Sequence, residues 1–485
     1  MSIRNLEPVA LWNHFADLNA VPRPSKKEER IIEFMLNFGR SLGLETKTDR
    51  IGNVIIKKPA TSGMEGRHTL ILQSHIDMVH QKNEDTVFDF EQQGIEMYID
   101  GDWVKAKGTT LGADNGIGVA AIMALLSSKD IAHPSLEAMF TIDEETGMTG
   151  AKELEGSNFS GKILLNLDTE DDDELSIGCA GGIDTNTSYN YSEEPVKEGF
   201  VTFSISLKGL LGGHSGMDIH LGRGNANKLL NRFLYHLHSL TEIQLISFDG
   251  GSLRNAIPRE ATAVVAIHKE QGLWLREETH RFLDILNSEY GLIEPNLTLE
   301  SAETGNNVKH AVDHGDFIKI MNVLYAVHNG VFRMSPSIEG LVEASSSLAR
   351  VIVKDGKFIT QSLQRSSVES SKGDVSNTIR TAFEVIGCSV VQAGDYPGWA
   401  PDPNSTILNL MAELYREMFA SEPQIKACHA GLECGILGKH LPGVEMISFG
   451  PNIRGAHSPD EKVQISSVQK FWGYLLATIE RTPAK

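Results

Sequence analysis

A chain of 485 residues, 41% hydrophobic and 22% charged, is too long for a single hydrophobic core and predicts two domains. Its 44 Lys and Arg against 64 Asp and Glu give a formal charge of -20, which argues against nucleic acid or an anionic membrane as partner. The four cysteines include no C-x-x-C pair, the start of the chain lacks a basic-then-apolar signal, and the longest apolar run, residues 119–126, is far short of the ~20 residues of a membrane span. These features predict a cytoplasmic protein with no membrane-crossing helix.

Apolar residues recur at helical spacing over residues 7–19 and 26–42, the second through Ile31, Ile32, Phe34, Met35 and Phe38 with Pro24-Ser25 at its entry. Short strands are predicted at 53–57 and 69–74, a small-residue helix at 116–126, and further strands at 136–142 and 162–167. Strands alternating with helices predict an α/β fold, a mostly parallel sheet flanked by helices, with ligands at the carboxyl ends of strands. Past Gly181-Gly182 the pattern changes: residues 200–207 and 260–267 alternate with the period of half-exposed antiparallel strands, and helical patterns occupy 225–240 and 273–287. Residues 186–395 are therefore expected to form an inserted α+β lid domain with an antiparallel sheet, ending at a Gly/Pro stretch, 393–399, suited to a hinge. Residues 1–185 and 396–485, the latter carrying helix, strand and helix at 405–419, 444–449 and 466–479, are expected to form one discontinuous catalytic domain.

The chemistry centres on the end of the strand at 69–74. His75 and Asp77 share a face there, the arrangement of a metal-ligating imidazole and the carboxylate that fixes its tautomer. An isolated H-x-D is usually a solvated strand end, but here further acids follow apolar runs or lie in glycine-bearing loops: Asp114, Glu144-Glu145, Asp168, and finally His457. Two histidines and four carboxylates beside Asp77 exceed a closed structural zinc site. They match two divalent ions that share a carboxylate and a water with its base. Adjacent side chains diverge, so one of Glu144 and Glu145 can ligate while the other faces the water. A serine hydrolase would want G-x-S-x-G, which Gly213-His214-Ser215-Gly216 misses by one position. A protein that only binds metal has no need of Glu144.

Motifs along essentially the whole chain, Val21-Pro22-Arg23-Pro24-Ser25, Ser74-His75-Ile76-Asp77-Met78-Val79, residues 109–118, Gly178-Cys179-Ala180-Gly181-Gly182, residues 429–435 and His457-Ser458-Pro459-Asp460-Glu461, resemble a known family. It is that of the co-catalytic zinc metallopeptidases, which includes glutamate carboxypeptidase, aminoacylase and the carnosinases, and the match is strongest to its Xaa-His dipeptidase branch. The resemblance implies that His75 and Asp168 hold one ion, Glu145 and His457 the other, and that Asp114 bridges them across a cis Asp114–Asn115 peptide. By the same likeness Asp77 orients His75, Glu144 is the general base, and His214 is a lid histidine that donates to the developing oxyanion. The ions would be Zn2+, with Mn2+ or Co2+ able to substitute. The carboxypeptidase branch carries Asp-x-Lys-Gly where this chain has Asp114-Asn115-Gly116-Ile117, which favours a dipeptidase acting on small peptides with free termini, carnosine-like Xaa-His among them. Arg365 is the candidate for the substrate carboxylate and Glu433 for its free amine. An amidohydrolase acting on N-acyl amino acids shares every ligand and is the alternative. The size of the lid favours supply of His214 within one chain, and a homodimer is compatible with the same features.

Overall fold

The run Leu70-Ile71-Leu72 forms the first half of strand Leu70–His75, in which every residue is buried. It lies between Leu136–Thr141 and Ile163–Asn166, parallel to both, and strands covered on both faces read as such continuous apolar runs. The computed structural model describes residues 2–305 and 308–485. In it these strands belong to an eight-stranded sheet. Val54–Lys58 and Glu45–Thr48 extend one side antiparallel. On the other side Glu445–Ser448 pairs parallel with Ile163–Asn166, followed by Glu174–Cys179 and Gln424–Cys428. A strand from the far end of the chain thus occupies an interior position.

Helix Ala113–Ser127 is apolar all round and almost wholly buried. Its small residues let it sit tightly on the strand ends: a Cβ at Gly118 would come 2.5 Å from Ser74 Oγ and 2.6 Å from the Leu167 carbonyl oxygen. A separate four-stranded sheet orders Ile453–Arg454, Lys462–Gln464, Trp103–Ala106 and Met97–Asp100. Its first two strands flank the loop that carries His457, and Trp103–Ala106 leads into the turn before Asp114.

By contact the chain divides into Met1–Gly178, Pro401–Ala427 and Leu432–Lys485 as one unit, and Cys179–Ala400 with Cys428–Gly431 as the other. The divisions fall a few residues outside 185/186 and 395/396. The reason is strand Gly181–Asn190, which pairs along its length with Lys357–Ser366. The second unit is built on a nine-stranded sheet in which every recorded pairing is antiparallel, with Gln244–Gly250 beside Val342–Lys354 joining its two halves. The Gly/Pro stretch read as a hinge is partly strand: Ser389–Tyr396 continues through it, with a register shift after Ala393 where Gly394 takes φ +63. No helix among the described residues is long and apolar enough to cross a membrane.

Gly118→Ala tests the close packing of the helix. The added methyl must displace Ser74 or the Leu167 carbonyl, at an expected cost of about 1–3 kcal/mol. A thermal melt should show the loss, and an unchanged melting temperature would contradict it.

Candidate metal centre

His75 ends its strand fully buried, with Nδ1 3.3 Å from Asp77 Oδ1. Asp77 in turn accepts from the Glu144 and Glu145 amides, at 3.1 and 3.3 Å, and from Ser25 Oγ at 2.7 Å. One carboxylate therefore orients the imidazole and fastens the Glu144-Glu145 turn to the strand end. His75 Nε2 faces Asp114 Oδ1 at 3.1 Å and Asp168 Oδ1 at 3.5 Å. The other oxygen of Asp114 lies 3.2 Å from His457 Nε2, which is 3.0 Å from Glu145 Oε2. Asp114 thus presents one oxygen to each histidine, and each histidine has one further carboxylate of its own.

The backbone is specialised where these groups meet. The Asp114–Asn115 peptide is cis, and Asp143 and His457 adopt left-handed φ of 54 and 63, uncommon for residues with a side chain. Asn115 Nδ2 donates to the Leu167 carbonyl at 2.5 Å, tying the turn to the residue before Asp168. Lys26 binds Asp143 at 2.7 Å, and the Thr146 and Thr149 hydroxyls donate to the same carboxylate, so the turn beneath Glu144 is held from below.

The charges confirm crowding. Burial pushes Asp168 up to about 6, with Asp114 and Glu145 adding to the rise. Burial also raises Glu144 well above the carboxylate range, reinforced by Asp168, Glu433 and Glu145 and opposed by His75. Burial alone would lower His75, but Asp168, Asp114 and Asp77 hold it well above its ordinary value. Hydrogen bonds donated by its ring to Asp114 and Glu145 raise His457 to about 11. Glu145 Oε1 and Asp168 Oδ1 are buried oxygens without a hydrogen-bond donor among the described residues. Bare carboxylate oxygens, two imidazoles and a shared aspartate are a donor set for divalent cations, and the residues fit two such ions.

Glu433 also lies in this unit. It opens helix Glu433–His440 and is 2% exposed, and its Oε2 accepts from Gln73 Nε2 at 2.7 Å and Thr141 Oγ1 at 2.8 Å. Burial pushes it up to about 7, and Oε1 has no donor among the described residues.

The second unit brings His214 and Arg365 together. Nδ1 of His214 accepts from the amides of Gly216 and Met217 at 3.2 and 3.0 Å, so in the neutral ring Nε2 carries the hydrogen. Burial, then the Arg365 charge, lowers the His214 pKa and keeps the ring neutral. Arg365 Nη2 lies 3.4 Å from that Nε2, two donors side by side, while Nη1 donates to Tyr396 Oη at 2.8 Å. His429, beside Ser345 Oγ at 2.7 Å, is pushed down to about 3 by burial and Arg365. Sequence reading assigned no role to Tyr396, His429, Asn115 or Lys26. Asn115 and His429 carried a signal, each as part of a quoted motif.

The family model described as a peptidase dimerisation domain matches residues 205–294. The Escherichia coli protein named cytosol non-specific dipeptidase is 43% identical over 485 residues, covering 100% of this chain and 99% of that protein. The crystal structure of aminoacylhistidine dipeptidase from Vibrio alginolyticus superposes with a TM-score of 0.96 at 44% identity, covering 100% of this chain and 99% of that one. An aminopeptidase structure from Bacillus cereus, at 17% identity and a TM-score of 0.56 over 98% of both chains, shares the fold.

Because His457 and His75 hold protons near neutrality in the cation-free site and a ligating imidazole must be neutral, loading displaces protons. Calorimetric enthalpies of zinc binding near pH 7 should differ between phosphate and Tris buffers by at least one ionisation, and affinity should rise with pH. Equal enthalpies in both buffers would refute the assignment.

Proposed function

Because the chain belongs to the M20 family of metallopeptidases, with the cytosol non-specific and aminoacylhistidine dipeptidases as full-length relatives, we propose that it is a metal-dependent dipeptidase acting on dipeptides with free termini, Xaa-His among them. The observation that carries this reading is the division of the two Asp114 oxygens between His75 and His457. It supports Asp114 as the bridge between two ions, His75 and Asp168 as ligands of one, and Glu145 and His457 as ligands of the other. We assign the ions as Zn2+, replaceable by Mn2+ or Co2+. Held by these residues, two dications would supply Lewis-acid polarisation of the scissile carbonyl and a water of lowered pKa.

The chain's own groups do the rest. Glu144, its pKa raised by burial, takes the proton from the attacking water and passes it to the leaving amine. Asp77 keeps His75 in the tautomer with its lone pair on Nε2. His214 Nε2–H and Arg365 Nη2–H are two adjacent donors suited to anionic oxygens: the first to the developing oxyanion, the second to the substrate carboxylate. Glu433, with one oxygen that has no donor among the described residues, suits the substrate ammonium. Strand Gln244–Gly250, an outer strand of the matched dimerisation module, pairs with Val342–Lys354 of the same chain, which favours supply of His214 in cis. A homodimer is compatible with the matched module, and the relative's name supports a cytosolic location.

Glu144→Ala should lower turnover about 10²–10⁴-fold while both ions remain, since the role assigned to it is proton transfer. His457→Ala should lose metal. Metal analysis finding the reverse would overturn the roles. Free Xaa-His should be cleaved and its N-acetyl form resist, whereas a deacylase would prefer the acetylated compound. Mixing His214→Ala with Glu144→Ala protein under verified subunit exchange should restore no activity, and recovery would mean that His214 is lent by a partner subunit.

A further inference from the structure

The motifs Val21-Pro22-Arg23-Pro24-Ser25 and His457-Ser458-Pro459-Asp460-Glu461 contain a buried cation and a buried anion without a role in the chemistry above. Arg23 is 1% exposed and Glu461 2%. Glu461 Oε2 accepts from the amides of Leu111 and Gly112 at 2.7 and 2.9 Å. Its Oε1 accepts from those of Ala113 and Asp114 at 2.7 and 3.1 Å. These successive amides form the turn into helix Ala113–Ser127, whose backbone leaves helical geometry at Asp114 and Asn115, so the N–H groups of the turn need acceptors from elsewhere in the chain. A local capping side chain satisfies one or two of them. Here a carboxylate on the His457 loop takes all four.

Arg23 grips the same turn from the other side. Its Nη2 donates to the Gly112 carbonyl at 2.6 Å and to Asn19 Oδ1 at 3.0 Å, and its Nη1 to the carbonyls of Ile76 and Asp77 at 3.2 and 3.0 Å. Gly112 is therefore held at its N–H by Glu461 and at its C=O by Arg23. A Cβ on Gly112 or Gly116 would stand 2.6 Å from Nη2, so both glycines keep space for the guanidinium.

We infer that Arg23 and Glu461 are positioning residues of the metal centre, a brace that fixes Asp114 relative to His75 through Arg23 and relative to His457 through Glu461. The inference rests on the reading of Asp114 as the bridge. A bridging carboxylate must be placed to within about 0.5 Å to serve two ions. Its direction is set by a glycine-bearing turn that would otherwise have wide conformational freedom. The brace joins that turn to the two segments that supply the histidines through seven hydrogen bonds, and an eighth anchors Arg23 to Asn19.

The test is zinc titration of metal-free protein under chelator competition, with thermal melts of the same samples and steady-state kinetics at saturating zinc. His457→Ala is the reference that loses the second equivalent. Glu461→Gln should bind the second equivalent about 10–100-fold more weakly, keep the first, and lower kcat with KM unchanged. Arg23→Lys should weaken binding to a similar extent, and Glu461→Asp, which retains the carboxylate, should recover part of the loss and serves as the readout if Glu461→Gln does not fold. Wild-type binding of both equivalents by Glu461→Gln or Glu461→Asp and by Arg23→Lys, with only the melting temperature reduced, would overturn the inference. If His457→Ala itself binds two equivalents, the bridging assignment fails first and the inference falls with it.

Discussion

Mutual repulsion among buried carboxylates is the constraint that the first unit answers. Burial and neighbouring carboxylates push up Glu144, Asp168 and Glu433, while Asp114 and Glu145 both face His457. At about 4 Å, two like charges repel by about 4 kcal/mol at an effective dielectric near 20. In the cation-free site the protonated imidazoles offset that repulsion, and any cation that binds the folded site alone would add its binding free energy to stability. The polar framework around it has one purpose in common. Asp77 takes two amides of the Glu144-Glu145 turn, and Glu461 takes four of the Asp114 turn. These hydrogen bonds hold in place groups that would otherwise move apart.

The part of the centre nearest the central strand was legible in the sequence because apolar continuity and a two-residue spacing are local signals. Strand Leu70–His75, its parallel neighbours and the buried helix before residue 127 all follow from them. The return of His457 was legible only as a motif. The strands that carry it, Ile453–Arg454 and Lys462–Gln464, are too short to show any period. A glutamate that caps a remote helix reads in sequence like any solvated loop acid, and Arg23 reads like a turn residue between two prolines. Strand Gly181–Asn190 begins with two glycines and then alternates polar residues, which hides it behind what looks like a linker. Tyr396 was passed over for a similar reason, since the glycines and proline around it suggested a hinge.

The second unit reaches its binding chemistry by a different route. Its anion-seeking pair depends on a ring nitrogen satisfied by its own backbone, which sends the remaining hydrogen outward, and on an arginine buried enough to be rigid. Tyr396 and His429 flank that arginine as neutral groups, and Asp184, an acid within its electrostatic reach, pairs with Arg254 at 3.3 Å. A lysine in place of Arg365 would keep the charge and lose the planar fork.

The interior placement of strand Glu445–Ser448 bears on the order in which the molecule assembles. When the ribosome has delivered residue 400, the whole of the nine-stranded sheet exists and can close, whereas the first sheet still lacks the strand between Ile163–Asn166 and Glu174–Cys179. Until the last part of the chain emerges, that gap presents two unpaired strand edges, each a template for pairing with another nascent chain. The first unit is begun first and completed last, and its aggregation risk is concentrated in the interval between.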